Sequence, residues 1–508
     1  MPNPLYDRLF APLADRHRAL LILEDGREIA GAEWLAVVHR SAQALVAEGV
    51  RPGDRVAAQV AKTPQALALY AATVAVGAVF LPLNTAYTAA EVDYFVGDAA
   101  PKLLLADPAK AEVLAPVAAK HGAILRTLGA DGGGSFRALA DRQSGAFVPV
   151  AREEDDLAAL LYTSGTTGRS KGAMLTHGNL LSNAQALVRA WRFGAHDTLL
   201  HALPIFHTHG LFVATHVAVL GGAAMIFLPG FDVDSALRHL PRASVLMGVP
   251  TFYTRLLGEP RFDRASAAHM RLFVSGSAPL LADTHRAFEA RTGHRILERY
   301  GMTETNMNTS NPYDGERRPG TVGVPLPGVD VRIVDPASGA PLPNGDTGMV
   351  EVRGPNVCRG YWRMHEKTEE SFRSDGFFIT GDLGFFDADG YLNLVGRDKD
   401  VIITGGYNVY PKEIELLLDA EPGVLESAVI GVPHPDYGEA VFAVLVPQPG
   451  TALDLGAIEA AMRERLARYK QPKAMAVLDQ LPRNTMSKVQ KNVLRERFAG
   501  HFAAQPSA

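Results

Sequence analysis

From the first residues to about position 330, short β-rich apolar runs alternate with longer Ala/Leu-rich segments of helical character, the pattern that builds α/β layers. The runs at 55–60, 102–106, 224–228 and 271–275 read as strands. The segment 66–83 is almost continuously apolar, but alanine dominates it, Gly77 interrupts it, and Pro64 and Pro82 bracket it. That predicts a buried helix starting near Gln65, a break at Gly77 and a strand over 78–81, and no membrane span. Between about 330 and 396 the chain turns to short strands and glycine turns, at 329–334, 348–353 and 390–395, so a small β unit is expected there. After Arg397-Asp398-Lys399-Asp400 a compact α+β segment, 399–508, begins. It has a helix at 411–418 with Pro411 in the first helical position, and strands over 425–430 and 440–446. A second helix is capped by Asp454 and carries Leu455, Ile458, Met462 and Leu466 on one face.

Length and composition narrow the class. At 508 residues the chain holds several domains' worth of sequence, the size of a multidomain enzyme. Lys plus Arg total 50 against 55 Asp plus Glu, a formal charge of -5 without a basic tract, so nucleic acid is not an expected partner. The single cysteine, Cys358, excludes an internal disulfide or a Cys-rich metal site and reads as a small buried hydrophobe. The start, Met-Pro-Asn-Pro-Leu-Tyr-Asp-Arg, lacks the basic and apolar regions of a secretion signal. A reducing, cytoplasmic setting is expected.

The strongest chemical signal is Tyr162-Thr163-Ser164-Gly165-Thr166-Thr167-Gly168-Arg169-Ser170-Lys171-Gly172, directly after the apolar run 157–161. Glycines let backbone N–H groups approach a polyphosphate, hydroxyls add donors, and Lys171 supplies charge. The spacing is not that of a Walker loop, because Gly172 rather than Ser or Thr follows the lysine. A nucleotide is implied, but not P-loop kinase chemistry. Further stretches carry suitable groups. Ser275-Gly276-Ser277-Ala278-Pro279-Leu280 follows a strand and is expected to open a helix. Tyr300-Gly301-Met302-Thr303-Glu304-Thr305 offers a ring, a hydroxyl and a carboxylate fit for Mg²⁺. Thr380-Gly381-Asp382, Gly396-Arg397-Asp398, Gly405-Gly406-Tyr407-Asn408 and Pro482-Arg483-Asn484-Thr485-Met486-Ser487-Lys488 complete the series. Each alone is an ordinary turn or solvated face.

In this order the stretches resemble the signatures of the adenylate-forming superfamily: acyl-CoA synthetases, luciferases and peptide-synthetase adenylation domains. The resemblance covers nearly the whole chain. It implies an N-terminal domain over 1–397, a hinge at Asp398, a small mobile domain over 399–508, and an active site between the two domains. By the same resemblance Thr163, Ser164, Gly165, Thr166, Thr167 and Lys171 hold the β- and γ-phosphates of ATP, Thr303 the α-phosphate, and Glu304, with Thr167, the Mg²⁺. Gly276, Ser277, Ala278, Pro279 and Tyr300 enclose adenine, Gly301 and Met302 also belong to the ATP site, and Asp382 and Arg397 take the ribose hydroxyls. Lys488 meets the charge that develops between the carboxylate and the α-phosphate. Many relatives have proline at Ser170 and glycine at Ser487. Serine at 487 costs about 1 kcal/mol if its φ is positive, and is expected to be tolerated.

The implied reaction has two halves. A substrate carboxylate attacks the α-phosphorus of ATP and pyrophosphate leaves. The small domain then withdraws Lys488 and brings Gly405 and Gly406 over a pantetheine tunnel, and the coenzyme A thiol takes the acyl group. The absence of an appended carrier domain favours free coenzyme A as acceptor.

Arg299, immediately before Tyr300, points to the acid. An inward arginine binds a second carboxylate in bidentate fashion and is left unpaired by an apolar chain. Asn306, Met307, Asn308, Ser310 and Asn311 nearby are mostly small or polar. A short dicarboxylic acid fits. The stretches 204–212 and 299–312 resemble malonyl-CoA synthetases, which implies a malonate site lined by His207, Thr208, Arg299 and Met307, with Arg255 a second candidate cation. No Cys or acidic partner accompanies the His207–His209 pair, so no metal is expected there. Methylmalonate or another short acid is the alternative substrate, and a non-catalytic nucleotide sensor or an ATPase releasing ADP the alternative classes. Acetylation of Lys488 by a protein acetyltransferase, reversed by a deacetylase, would remove its charge and stop adenylation.

Overall fold

A computed structural model describes residues 2–163, 170–405, 407–484 and 488–502. The chain divides into two compact units, Met1–Val331 with Val352–Phe378, and Arg332–Glu351 with Ile379–Ala508.

The first unit is layered α/β, as the alternation of apolar runs predicts. One sheet orders the strands Ile124–Thr127, Leu103–Ala106, Arg55–Gln59, Val79–Pro82, Leu157–Thr163 and Lys171–Thr176. Its pairs are parallel except the last. The segment around Gly77 shows how sequence makes this layer. Helix Pro64–Val76 starts with proline, and Thr63 caps it by accepting from Ala66 N at 3.0 Å. It stops where Gly77 adopts φ +74, a left-handed conformation glycine takes without Cβ strain. Strand Val79–Pro82 comes next, buried throughout. Every residue from Ala66 to Val76 is buried, so this helix has no polar face to show to water and serves as core. Among the described residues no helix is long and apolar enough to cross a membrane.

A second sheet of this unit runs in the order Val324–Pro325, Asn306–Ser310, Leu297–Met302, Leu272–Ser275, Val245–Gly248, Thr198–His201, Ala224–Phe227, Ala19–Ile22 and Glu28–Ala30. Two hairpins of the first unit carry candidate nucleotide-binding residues. Leu157–Thr163 and Lys171–Thr176 pair antiparallel with Thr163 opposite Lys171, so the candidate phosphate loop joins strand to strand. The helix comes only afterwards, at His177–Ala190, where Thr176 and Asn179 form a reciprocal cap. Leu297–Met302 and Asn306–Ser310 form the other hairpin, with Glu304 in its turn. The stretch after Ser275 departs from expectation. It does not open a helix directly, because residues 276–281 form a loop and the helix begins at Ala282.

A four-stranded sheet runs in the order Asp330–Val334, Gly348–Arg353, Phe378–Phe386 and Leu392–Arg397. In the second unit, Val424–His434 and Gly438–Pro447 form a long antiparallel hairpin against which helix Pro411–Asp419 packs Ile414 and Leu418. Helix Leu455–Arg465 is capped by Asp454, accepting from Ala457 N at 3.0 Å, and buries Ile458 and Met462.

Candidate active site

Both ends of the phosphate-loop hairpin are tied to one helix, Ala89–Ala99. Tyr94 Oη donates to the Ser170 carbonyl at 2.7 Å, and Tyr162 Oη donates to Asp98 Oδ2. Thr163 and Lys171 are thereby fixed as the loop's ends. Ser164, Gly165, Thr166 and Thr167, like Gly406 and Ser487, lie outside the described residues.

Lys171 Nζ stands 4.6 Å from the centroid of the Tyr361 ring, and Tyr361 Oη donates to Glu304 Oε1 at 3.1 Å. Tyr361 was not among the residues the sequence singled out. Its signal, an aromatic after glycine in Arg359-Gly360-Tyr361-Trp362, is one that many loops share. Glu304 is 6% exposed and has no ion pair among the described residues. A buried carboxylate without a cation suits a Mg²⁺ that arrives with a nucleotide, since Mg²⁺ is commonly held by one or two carboxylates plus phosphates. Among the described residues no cluster of three acidic, His or Cys ligands forms a self-sufficient metal site. Cys358 N donates to the Glu304 carbonyl at 2.7 Å. Burial, and then the Glu304 carboxylate, push the Cys358 thiol up to about 12, so it stays an unreactive packing group.

Arg299 lies on strand Leu297–Met302 and is 4% exposed. Its Nε and Nη2 are buried without hydrogen-bond partners, and burial draws its pKa down from 12.5 to about 9, which still leaves it charged at neutral pH. Room for the guanidinium comes from Gly276, where a Cβ would stand 2.4 Å from Arg299 Cζ. Next to Gly276, Ser277 adopts φ +73 and its Oγ lies 3.2 Å from His209 Nδ1. When Ser277 donates to Nδ1, the ring proton sits on His209 Nε2, which is likewise buried and unpartnered, as is Thr208 Oγ1. Burial, with Arg299 adding to it, holds the His209 pKa well below its ordinary value and keeps the ring neutral. His207 Nδ1 accepts from His209 N at 3.2 Å.

Met307 is buried and its backbone is gripped by Asn183, which donates to the Met307 carbonyl at 2.8 Å and accepts from its N–H at 3.2 Å. The polar residues beyond it divide. Ser310 and Asn311 are used by the fold: Ser310 Oγ accepts from Trp191 Nε1, and Asn311 Nδ2 donates to the Thr321 carbonyl. Asn306 Nδ2 donates to the Asn356 carbonyl at 2.9 Å, while Asn308 Nδ2 is buried without a partner. Arg255 is exposed on helix Pro250–Leu257, whereas Arg299 is buried. Tyr300 is 7% exposed, whereas Ser277, Ala278, Gly301, Met302 and Thr303 are half-buried and Pro279 is exposed.

In the second unit Asp382 and Arg397 face each other across the strand pair, Oδ1 to Nε at 2.6 Å. Thr380 Oγ1 accepts from Asp382 N at 3.0 Å and donates to the Val350 carbonyl at 2.7 Å, which fixes the turn. Asp398 begins a short 3₁₀ turn, Asp398–Asp400. Gly405, at φ +56, donates to the Tyr437 carbonyl at 2.9 Å. Lys488 is exposed, and its N–H donates to Asn484 Oδ1 at 3.0 Å.

Comparison with known proteins bears on the whole chain. The AMP-binding enzyme family model matches residues 12–362, and the AMP-binding enzyme C-terminal domain model matches 413–488. Feruloyl-CoA synthase of Amycolatopsis sp is 38% identical over 94% of this chain and 96% of its own. The malonate–CoA ligase of Arabidopsis thaliana is 36% identical over 83% of this chain and 74% of its own. The crystal structure of ATP-bound MatB from Rhodopseudomonas palustris superposes with a TM-score of 0.97, at 58% identity, over 99% of this chain and 100% of its own.

Proposed function

This chain belongs to the AMP-binding enzyme family, and we propose that it carries out the AMP-forming ligation of malonate to coenzyme A. One malonate carboxylate attacks the α-phosphorus of ATP and pyrophosphate leaves. The coenzyme A thiol then attacks the carbonyl of malonyl adenylate and AMP leaves. The malonate–CoA ligases of Arabidopsis thaliana and Bos taurus, each 36% identical, support this reading. Among these curated relatives identity does not choose the acid, since a feruloyl-CoA synthase is 38% identical. The observation that carries the choice is the buried Arg299 cation with Nε and Nη2 unpartnered. A buried charge of this kind demands an anion, and the distal carboxylate of malonate supplies one in fork geometry. Thr208 Oγ1 and His209 Nε2 offer further donors. A feruloyl or other neutral acyl chain would leave all of them unsatisfied.

In this proposal Thr163 and Lys171 hold ATP phosphates, Thr303 the α-phosphate, and Glu304 the Mg²⁺, whose chemistry there is to neutralise phosphate charge. Tyr300 and the 276–279 loop border adenine, and Asp382 with Arg397 take the ribose. Lys488 meets the charge developing in the adenylation step, Asp398 is the hinge, and Gly405 belongs to the coenzyme A path. The reaction is assigned to the cytoplasm, in keeping with one buried, unreactive cysteine.

The test is a panel of mono- and dicarboxylic acids assayed for acyl-CoA with ATP, Mg²⁺ and coenzyme A, on this protein and on Arg299→Ala. Malonate is expected to lead the panel, and Arg299→Ala to lower its kcat/KM by about tenfold to a hundredfold, the worth of a charged hydrogen bond. Acetate matching malonate on the unaltered protein would refute the role of Arg299.

A further inference from the structure

Residues 359–362 run beside the phosphate-loop hairpin as an extra strand. Arg359 N donates to the Met174 carbonyl at 2.9 Å, Met174 N to the Gly360 carbonyl at 2.9 Å, and Trp362 N to the Gly172 carbonyl at 2.8 Å. Ala173 and Tyr361 form the bridge between them. This pairing sets the Tyr361 side chain beside Lys171 at one hairpin and Glu304 at the other. A further bond locks its backbone, Tyr361 N donating to Thr368 Oγ1 at 2.9 Å. Glu304 is held twice from this side, through its carbonyl by Cys358 N, just before the segment, and through Oε1 by Tyr361 Oη.

Lys171 and Glu304 carry opposite charges on separate hairpins, and no ion pair joins them among the described residues. Left to themselves, a buried carboxylate and a half-buried ammonium would close on each other, and a nucleotide would have to break the pair before it could bind. Tyr361 satisfies both and keeps them apart. Its ring face takes the ammonium, at 4.6 Å from the centroid, and its hydroxyl takes one carboxylate oxygen. No hydrogen bond to Glu304 Oε2 forms among the described residues. Burial, and then the neighbouring carboxylate, raise the Tyr361 pKa, so the phenol keeps its proton and remains a donor.

We propose that Tyr361 is a positioning residue for the Mg²⁺–nucleotide site: it fixes Glu304 through Oε1 and holds Lys171 on its ring, so that neither quenches the other before substrate arrives. The inference rests on the reading of Glu304 as the Mg²⁺ ligand. It distinguishes the two halves of one side chain, because phenylalanine keeps the ring and loses only the hydroxyl.

The experiment titrates Mn²⁺ onto the enzyme–ATP complex without malonate, followed by electron paramagnetic resonance, for the full chain and the variants Glu304→Gln, Tyr361→Phe and Tyr361→Leu. Tyr361→Phe is expected to weaken Mn²⁺ binding about tenfold, as loss of the partner of a metal-ligating carboxylate commonly does, with the KM for malonate unchanged. Tyr361→Leu adds a rise in the KM for ATP, because Lys171 loses its ring. Weaker Mn²⁺ binding in Glu304→Gln but not in Tyr361→Phe would overturn the role of Tyr361 and leave Glu304 standing. Unchanged Mn²⁺ binding in both would overturn the reading of Glu304 and this inference with it. A malonate KM that rises together with the Mn²⁺ constant in Tyr361→Phe would mark a general structural defect, and would also overturn it.

Discussion

Gly276 makes the space that Arg299 occupies: a Cβ on residue 276 would lie 2.4 Å from Cζ, 2.5 Å from Nε and 2.6 Å from Nη1 of that arginine. Real Cβ atoms do not approach so closely, and Arg299 is 4% exposed, with little freedom to retreat. Gly276→Ala should therefore displace the guanidinium and act on malonate through it. Overpacking of this order costs about 1–3 kcal/mol, so kcat/KM for malonate should fall by about fivefold to a hundredfold. The decisive measurement is a double-mutant cycle with Arg299→Ala. Once the arginine is gone the three nearest obstacles to a Cβ at 276 are gone with it, so the second substitution should add little further loss. Equal losses in both backgrounds would show that Gly276 acts elsewhere, for instance on adenine.

Arg299 also bears on stability. A buried guanidinium with Nε and Nη2 unpartnered is a cost that the ligand-free protein carries for the sake of its substrate. Arg299→Met fills much of the same volume without the charge. The ligand-free variant should melt higher, by about 2–4 °C for each kcal/mol of relief, while malonate activity is lost. Malonate should raise the melting temperature of the parent protein in the presence of ATP and leave that of the variant unmoved. Differential scanning calorimetry of both proteins with and without ligands checks this, and a lower melting point for the variant would mean that Arg299 is satisfied by the fold.

Buried histidines predict how stability responds to acid. His177, His201, His209 and His216 are all buried, and burial lowers the pKa of each, to about 4 for His177 and about 3 for His216. Unfolded, each binds a proton near pH 6.5, so below that pH the unfolded chain holds more protons and stability falls. Above pH 6.5 the contribution is fully present. The loss for His177 should run from pH 6.5 down to about 4, at up to about 1.4 kcal/mol per pH unit. Neither ring nitrogen of His177 has a hydrogen-bond partner, and the charged groups facing it are Arg152 and Asp156. His177→Phe removes the proton site without removing a hydrogen bond. Urea denaturation at about pH 7.5 and about pH 5 should show a smaller difference for the variant than for the parent. An unchanged difference would assign the acid sensitivity to other groups.

Local features of the fold were legible wherever a residue acts within its own element. Pro64 brackets the start of a helix, Gly77 ends it at φ +74, and Asp454 caps another, all from chemistry within four residues. The candidate site was named through the order of its stretches, which resembles that of the adenylate-forming superfamily, since each stretch alone reads as an ordinary turn or solvated face. What the sequence left hidden depends on residues far apart in the chain. That Gly276 serves Arg299 is visible only once strands Leu272–Ser275 and Leu297–Met302 lie side by side. Tyr361 gains its meaning from two hairpins that meet it, and nothing in its own neighbourhood announces that. Arg255 and Arg299 look alike as arginines near tyrosines, yet one ends exposed on a helix and the other buried on a strand.

In the proposed function the adenylation step turns on Lys488. Its N–H donates to Asn484 Oδ1 at 3.0 Å and its carbonyl accepts from Asn484 N at 3.0 Å, so Asn484 sets the backbone from which the lysine projects. Because Lys488 is exposed, Lys488→Ala should leave the melting temperature unchanged. Malonate-dependent exchange of pyrophosphate into ATP should fall by about a hundredfold to a thousandfold, the usual effect of removing one preorganised group that meets developing charge. Conversion of pre-formed malonyl adenylate to malonyl-CoA should persist, since the proposed role of the lysine is confined to the first half of the reaction. Asn484→Ala should give a smaller loss in exchange alone, and stoichiometric acetylation of Lys488 should reproduce the alanine variant by removing the charge. Full exchange activity in Lys488→Ala would end the catalytic role of this lysine, whereas no malonate-dependent exchange in the parent protein would favour a protein that binds ATP without activating an acid.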